Sequence, residues 1–357
     1  MRWLPALLAL AATLAVAGCS TLGYYGQAAY GHLSLMAAAK PVAEWLADPA
    51  TPDTLKERLH RAQEIRGFAS RELALPDNQS FTTYADLHRP AAVWNSFATP
   101  ELSLALKVWC YPIFGCAGYR GYYDPAEAKA FAASLTAQGY DVAVWPVPAY
   151  STLGWFPDPL LNTFIDWPDA ELARMIFHEL AHQIVYVNDD TIFNESFATA
   201  VEREGVRRWL AAEGNPQALA GWERTQAVRA DFIALVRATR AELEAIYASD
   251  ESDEVKRAAK ARALDAARTR YATLKRDRWG GWGGYDRVFG AGLNNAQIAA
   301  LGAYNELVPA FAALLAAQGG DLARFYAEVQ RLAGLPREER LAALERAGRT
   351  GVSALSP

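Results

Sequence analysis

The sequence predicts an α+β protein, mainly helical, in which a small mixed sheet precedes an all-helical C-terminal part that includes a long helical hairpin. Three observations carry that expectation. Apolar residues recur at helical spacing in Asp53–Leu73 (Leu55, Leu59, Ala62, Ile65, Phe68, Ala69), and the chain after Asp169 is mainly helical in pattern. From Ser80 to Trp109, and again over Tyr140–Val147, the pattern shortens to pieces rich in Phe, Thr, Tyr, Val and Trp, which read as strands. Finally, two Ala/Arg/Glu-rich stretches, Pro216–Ala248 and Glu254–Arg278, are separated only by Ser249-Asp250-Glu251-Ser252-Asp253, so they should fold back on each other. The 357 residues carry 35 Lys+Arg against 40 Asp+Glu, a net charge of −5 that argues against nucleic acid as a partner. Hydrophobic residues at 52 % and charged residues at 21 % exclude wholesale disorder.

Met1-Arg2 followed by the apolar run Leu4–Ala17 is too short for a membrane span, which wants about 20 residues, and has the pattern of a secretory signal over 1–18. Its end, Val16-Ala17-Gly18-Cys19, resembles the lipobox of bacterial lipoproteins. That resemblance implies cleavage before Cys19 and lipidation of its thiol, the alternative being an uncleaved anchor or a free thiol near the start. With Ser20 rather than Asp following, it implies an outer-membrane address facing the periplasm. Residues 19–79 read as N-terminal helices, one of them (Leu33, Met36, Val42, Trp45, Leu46) broken at Pro41.

Residues 80–215 read as the catalytic region. In its first part, Pro125–Gln138 is a helix with Gly139 behind it, and Val142 and Val144 share one face of the following strand. Cys110 and Cys116 are expected to close a small disulfide loop in an exported chain; a metal-binding pair is the alternative, but no second Cys/His pair accompanies it. After the hairpin, 216–278, a Gly/Trp-rich loop (279–285) leads into C-terminal helices, 279–357, that complete a cleft and run to near Ala347, with the last ten residues frayed.

The chemistry concentrates in His178-Glu179-Leu180-Ala181-His182, on a helix opening near Pro168-Asp169 with the apolar stripe Leu172, Met175, Ile176, Leu180, Ile184. Two imidazoles four residues apart point the same way and can grip one Zn²⁺, while Glu179 reaches the water beside the ion and takes its proton. A core histidine pair beside an exposed Glu is the alternative. His32, His60 and His88 lie in unrelated segments and read as ordinary histidines. A catalytic zinc keeps three protein ligands and one open place. Glu195 stands thirteen residues beyond His182, in Phe193-Asn194-Glu195-Ser196-Phe197. Asn194 reads as the cap of a second helix and the first helix as running one turn past His182, so the chain turns at Asn188-Asp189-Asp190 and brings Glu195 back in a first helical turn. Glu202, on the same face, competes as third ligand or supports a ligand histidine, and Asp189 and Asp190 are further competitors.

This His-Glu-Leu-Ala-His followed by Asn-Glu-Ser-Phe-Ala resembles the glutamate-ligand zinc peptidases called gluzincins, with a shorter interval between His182 and Glu195 than in the large aminopeptidases. More closely, the chain resembles the proteobacterial family of predicted zinc-dependent aminopeptidase lipoproteins. The segments carrying that likeness are Trp109-Cys110-Tyr111-Pro112, Gly115-Cys116, Tyr119-Arg120-Gly121-Tyr122, Ser151-Thr152-Leu153-Gly154-Trp155-Phe156, the zinc segment and Leu293-Asn294-Asn295-Ala296. The resemblance implies a zincin-like core, one Zn²⁺ on His178, His182 and Glu195, Glu179 as catalytic residue and a peptide as substrate. It asks for a tyrosine as oxyanion donor, Tyr304 or Tyr285. It asks for a strand over Tyr150–Phe156, including Gly154 and Trp155, to pair with extended substrate. A carboxylate, Asp158 or Glu202, would receive the substrate's amino end; Asp158 between two prolines also reads as a turn residue. Zinc peptidase therefore rests on residues, and aminopeptidase on resemblance. The other classes are a catalytically idle envelope scaffold and a zinc amide hydrolase acting on peptidoglycan.

Overall fold

A computed structural model describes residues 23–111, 115–149, 151–188, 190–290, 292–302 and 307–354. The signal segment, Cys19, Tyr150, Asp189 and Tyr304 therefore lie outside the described residues. The protein is mainly helical with small sheets, in the α+β class.

Helix α1 (residues 23–38) leads to β1 (Lys40–Pro41), α2 (Val42–Ala47) and α3 (Asp53–Leu73), so the expected break at Pro41 is a two-residue strand between helices. Along α3, Leu59, Ala62, Ile65, Ala69 and Leu73 recur at helical spacing and are buried. The helix ends where Ala74 turns left-handed (φ 52°). Next come β2 (Thr83–Ala85), β3 (Val93–Pro100), β4 (Trp109–Tyr111), β5 (Gly115–Ala117) and β6 (Arg120–Tyr122). Helix α4 (Pro125–Thr136) follows, capped by Asp124, whose carboxylate accepts the Ala126 N–H, with Pro125 preset at the first helical position. Gly139, at φ 86°, then turns the chain into β7 (Tyr140–Val147), and β8 (Leu160–Leu161) precedes the segment that carries His178 and His182.

Where one small mixed sheet was expected, three form among the described residues. β1-β2-β8 joins an antiparallel and a parallel pair, β6-β3-β7 is antiparallel, and β4-β5 is a separate hairpin. β3 and β7 pair from Val93↔Val147 to Pro100↔Tyr140. β2 and β8 offer only two paired positions each, too short a ladder to continue into the eight-residue strands. The hairpin β4-β5 carries the Cys110–Cys116 disulfide directly across its register.

Helix α5 (Asp169–His182) packs along α6 (Thr191–Ala212). The packing of α6 against α5 and α3 needs a glycine: a side chain at Gly205 would stand 2.8 Å from atoms of Phe177 and Leu73. α7 (Pro216–Ala248) and α8 (Asp253–Asp277) form the long hairpin, followed by α9 (Asn295–Gly302), α10 (Val308–Ala317), α11 (Leu322–Ala333) and α12 (Arg337–Ala354). α12 thus runs past Ala347, where fraying was expected. One core gathers residues from Leu35 through α3, α5 and α6 to Leu344; the hairpin has its own, with Phe232, Leu235, Leu243, Leu264 and Tyr271 capped by Trp279 and Phe289.

A buried asparagine ties the hairpin to the sheet. Asn295, fully buried, donates to the carbonyls of Glu101 and Ser103 at 2.9 and 3.1 Å, and accepts from the Tyr247 hydroxyl at 2.7 Å. Its N–H donates to Asp141 at 2.9 Å, a carboxylate that Lys260 of α8 also holds at 2.7 Å. Each polar group is satisfied by the other element, so the contact fixes one relative placement of sheet and hairpin.

Candidate metal centre and active site

α5 ends at His182 instead of running a turn further. Gln183 caps it, and the side-chain amide of Asn194 takes both polar groups of Val187, accepting its N–H and donating to its carbonyl at 2.8 Å each. That clasp draws the chain out of helical pairing. α6 in turn starts at Thr191, not after Asn194. Its cap is Asp190, which accepts the Phe193 N–H at 3.2 Å while its other oxygen takes Arg340 of α12 at 2.6 Å. Glu195 therefore sits in the second turn of α6, further from the helix terminus than expected, and Asp190 is occupied elsewhere.

Within this frame His178, His182 and Glu195 converge, one ligand atom of each lying within 4.8 Å of the others. His178 Nε2 is 3.2 Å from His182 Nε2 and 3.4 Å from Glu195 Oε2, and His182 Nε2 is 3.8 Å from Glu195 Oε1. The Nδ1 of His178 meets Glu202 Oε2 at 2.8 Å, so a neutral ring places its proton there and turns the Nε2 lone pair inward. His182 Nδ1 is buried without a partner, and with the ring proton on that nitrogen two imidazole lone pairs and the Glu195 carboxylate face one another at 3.2 to 3.8 Å, an arrangement that a positive charge between them relieves. Ligand atoms about 2.0–2.1 Å from a tetrahedral divalent ion stand about 3.3 Å apart, close to the 3.2 and 3.4 Å that separate His178 from the other two groups, with His182 and Glu195 somewhat wider at 3.8 Å. The site fits such an ion.

The electrostatics agree. Burial opposes the imidazolium of His178, yet Glu195 and Glu202 outweigh it and hold its pKa well above the usual histidine value. The cluster thus demands a cation, proton or metal. His182 is pushed down to about 4 by burial and by His178, which keeps its ring neutral as a ligand requires. Burial works to raise Glu202, but Arg174 (3.3 Å) and the His178 ring bring it down to about 2. Behind it, Arg174 pairs with Glu171 at 2.8 Å and Glu171 with Arg229 at 2.7 Å, so α5, α6 and α7 share one ion chain.

Glu179 lies beside the three donors. Burial pushes it up to about 7; Glu195 and Asp158 add to the rise, while His178 and a hydrogen bond with Ser151 work against it. The segment after Tyr150, expected as a strand, is a turn instead. Leu153 and Gly154 take left-handed φ values of 56° and 83°, and Asp158 binds the chain back on itself. Fully buried, Asp158 accepts the Thr152 N–H at 2.9 Å, the Thr152 hydroxyl at 2.8 Å and the Ser151 hydroxyl at 3.2 Å. Its carboxylate is consumed in that turn, so the expectation that it receives a substrate's amino end does not fit. Ser151 hydrogen-bonds both Asp158 and Glu179, and Gly154 packs beside Gln183 at the end of α5. The Trp155 ring is left 83 % exposed.

Asn194 shapes the turn between the helices and touches none of the donors. Tyr285 stacks on Phe232 (centroids 3.7 Å apart) in the hairpin core and neighbours Arg229 at the far end of the ion chain. A tyrosine not anticipated from sequence is nearer. Tyr119, between β5 and β6, feels Tyr186, Glu195 and Glu179; burial first, and these groups after it, push its phenol up to about 12, so it stays a proton donor. Tyr186 stands one turn beyond His182, its ring 6.2 Å from that imidazole. No local pattern could have singled out Tyr119, which reaches the site only through the fold of the disulfide-bearing hairpin.

Residues 23–344 match the model of a family described as "Putative aminopeptidase". No curated protein and no solved structure matches the chain.

Proposed function

The chain belongs to the "Putative aminopeptidase" family, and from that premise we propose that it is a zinc-dependent aminopeptidase of the gluzincin type, with a zincin-like core and a peptide as substrate. The observation that carries this is the convergence of His178, His182 and Glu195 at tetrahedral-ligand spacing with Glu179 beside them. His178, His182 and Glu195 are the ligands in this reading. Zinc, when bound, supplies a Lewis acid that polarises the scissile carbonyl and acidifies the attacking water.

Every other role falls to the chain. Glu202 fixes the tautomer and orientation of His178 and raises its basicity as a ligand. The Glu179 carboxylate takes the proton of the attacking water and passes it to the leaving amine, and its burial beside the donors favours accepting that proton. Ser151 orients that carboxylate, and the 151–156 turn forms one rim of the cleft with Gly154 against α5. Tyr119, whose phenol feels Glu195 and Glu179 and keeps its proton, takes the role of donor to a developing oxyanion in this reading. Localisation follows from the sequence: the signal run Leu4–Ala17 and Val16-Ala17-Gly18-Cys19 support a proteobacterial lipoprotein held by lipidated Cys19 at the outer membrane, facing the periplasm.

The test pairs the wild-type protein with its Glu179→Gln variant on a mixed peptide library. Release of single residues from the amino end, lost by at least about 100-fold in the variant while the bound metal stays stoichiometric, is the expected result. Metal content with no cleavage of any peptide would replace this function with a scaffold, and release of fragments from peptidoglycan alone would replace the substrate class.

A further inference from the structure

From Trp3 to Ala39 the chain carries no Asp, Glu, Lys or Arg, and α1 lies inside that stretch. A surface helix of a globular protein normally turns a charged face to water. One face of α1 is accounted for by packing. The Tyr24 ring meets Tyr122 at 5.6 Å and lies 3.9 Å from the guanidinium of Arg120. Gln27 donates to the Gly121 carbonyl at 3.3 Å and accepts the Tyr123 N–H at 3.2 Å. Gly31 sits against the Tyr123 ring, and Leu35 enters the main core. These positions fix which way the helix faces. The outer side presents Tyr25, Tyr30 and Leu33, exposed by 37, 75 and 65 %.

The 151–156 turn adjoins this side. Phe156, 49 % exposed, meets His32 with ring centroids 5.0 Å apart, and Trp155 beside it is 83 % exposed. The turn is held by three hydrogen bonds to the buried Asp158, so its aromatic side chains are presented on a braced support. An uncharged helix face bearing tyrosines, continued by a tryptophan and a phenylalanine, has the composition of residues that settle at a membrane–water interface. No helix among the described residues is long and apolar enough to cross a membrane.

We propose that the outer face of α1 (Tyr25, Tyr30, Leu33), together with Trp155 and Phe156, seats this protein on the lipid bilayer. The occupant is argued from chain length. Only residues 20–22 separate Cys19 from Gly23, the first described residue of α1, and a fully extended chain spans at most about 14 Å over that interval. A lipid on Cys19 therefore holds the start of α1 at the membrane surface, and an uncharged face there lies in the interface at no cost in buried charge. The inference rests on the lipid-anchor reading given above, and its test separates the two.

Full-length lipidated protein is incorporated into phosphatidylcholine vesicles, with Cys110 and Cys116 left in their disulfide. A single environment-sensitive fluorophore is attached at Leu33→Cys, Trp155→Cys or, as a distant control, Glu251→Cys at the tip of the hairpin. Vesicles doped with lipid spin-labelled near the headgroup should quench the labels at 33 and 155 and blue-shift them, leaving the label at 251 unchanged. Adding Tyr30→Glu and Leu33→Glu should abolish the quenching at 155 while the protein still floats with the vesicles. Flotation with neither label quenched, or with all three quenched alike, overturns the seating and leaves the anchor standing. Failure to float overturns the anchor and the seating with it.

Discussion

Replacing Glu202 by Gln isolates what a single carboxylate behind the metal donors contributes. Its side chain is 6 % exposed and is held between His178 Nδ1 at 2.8 Å and the Arg174 guanidinium at 3.3 Å. Burial alone would raise its pKa, but these partners lower it from 4.5 to about 2. At 1.36 kcal/mol per pH unit, that difference gives the ionised side chain about 3 kcal/mol of stabilisation specific to the folded state. Because the folded pKa lies below the unfolded one, the contribution is present in full above about pH 4.5 and fades as pH falls towards about 2. The amide keeps the shape and one acceptor but no charge, leaving Arg174 with Glu171 as its remaining partner. Urea unfolding of metal-free protein at pH 7 should show Glu202→Gln less stable by about 3 kcal/mol, with the gap closing in acid. Competition with a chromophoric chelator should show metal bound about 10- to 100-fold more weakly, since the ring of His178 loses the group that orients it. Equal urea midpoints at pH 7, or equal metal affinity, would refute the role assigned to Glu202.

Tyr119→Phe removes one hydroxyl from the cleft; kcat should drop by about 100-fold with KM little changed, and an unchanged kcat would return Tyr119 to a packing role. Burial holds Asp158 at about 6 against the pull of its Thr152 and Ser151 hydrogen bonds. Its folded pKa therefore lies above the unfolded 3.8, and ionisation costs the fold progressively between about pH 4 and 6, reaching about 3 kcal/mol above that. Asp158→Asn should flatten the dependence of the urea midpoint on pH in that window, and a slope as steep as the wild type's would contradict it. Stripping the metal should lower the melting temperature, with readdition at 100 times Kd restoring about 2.7 kcal/mol, whereas Glu195→Ala should melt at one temperature with or without zinc.

The pairing of His178 with His182 was legible because its geometry is local. Two imidazoles at i and i+4 on a helix share a face wherever that helix lies, and the apolar stripe from Leu172 to Leu180 makes α5 a helix on its own account. The helices α3, α7 and α8 were legible for the same reason, being long and periodic, with proline, asparagine or serine at their starts. The turn chemistry was harder to read. A strand was expected over 150–156 because the family resemblance asks for a substrate-pairing strand ahead of the metal-motif helix, but a carboxylate two residues beyond Phe156 binds that stretch into a left-handed turn. Asn194 carried a cap's sequence signature and instead clasps Val187 across the loop, while Asp190, considered as a competing ligand, does the capping. Asparagine and aspartate satisfy nearby backbone groups in several ways, and the chain's path selects among them.

By itself, then, the sequence determined the donor types and the helices that present them, because hydrogen bonding and side-chain direction within one helix depend only on near neighbours. Only the tertiary structure decided which groups stand around those donors. Glu202 faces His178 because α6 lies close along α5 at Gly205; Tyr119 comes beside Glu195 through a hairpin tied at Cys110 and Cys116; and α1 turns its uncharged face outward because Tyr24, Gln27 and Leu35 are drawn inward. Each of these contacts joins residues more than twenty positions apart, and a field or a lone pair acts over ångströms of space, a distance that position along the chain does not encode.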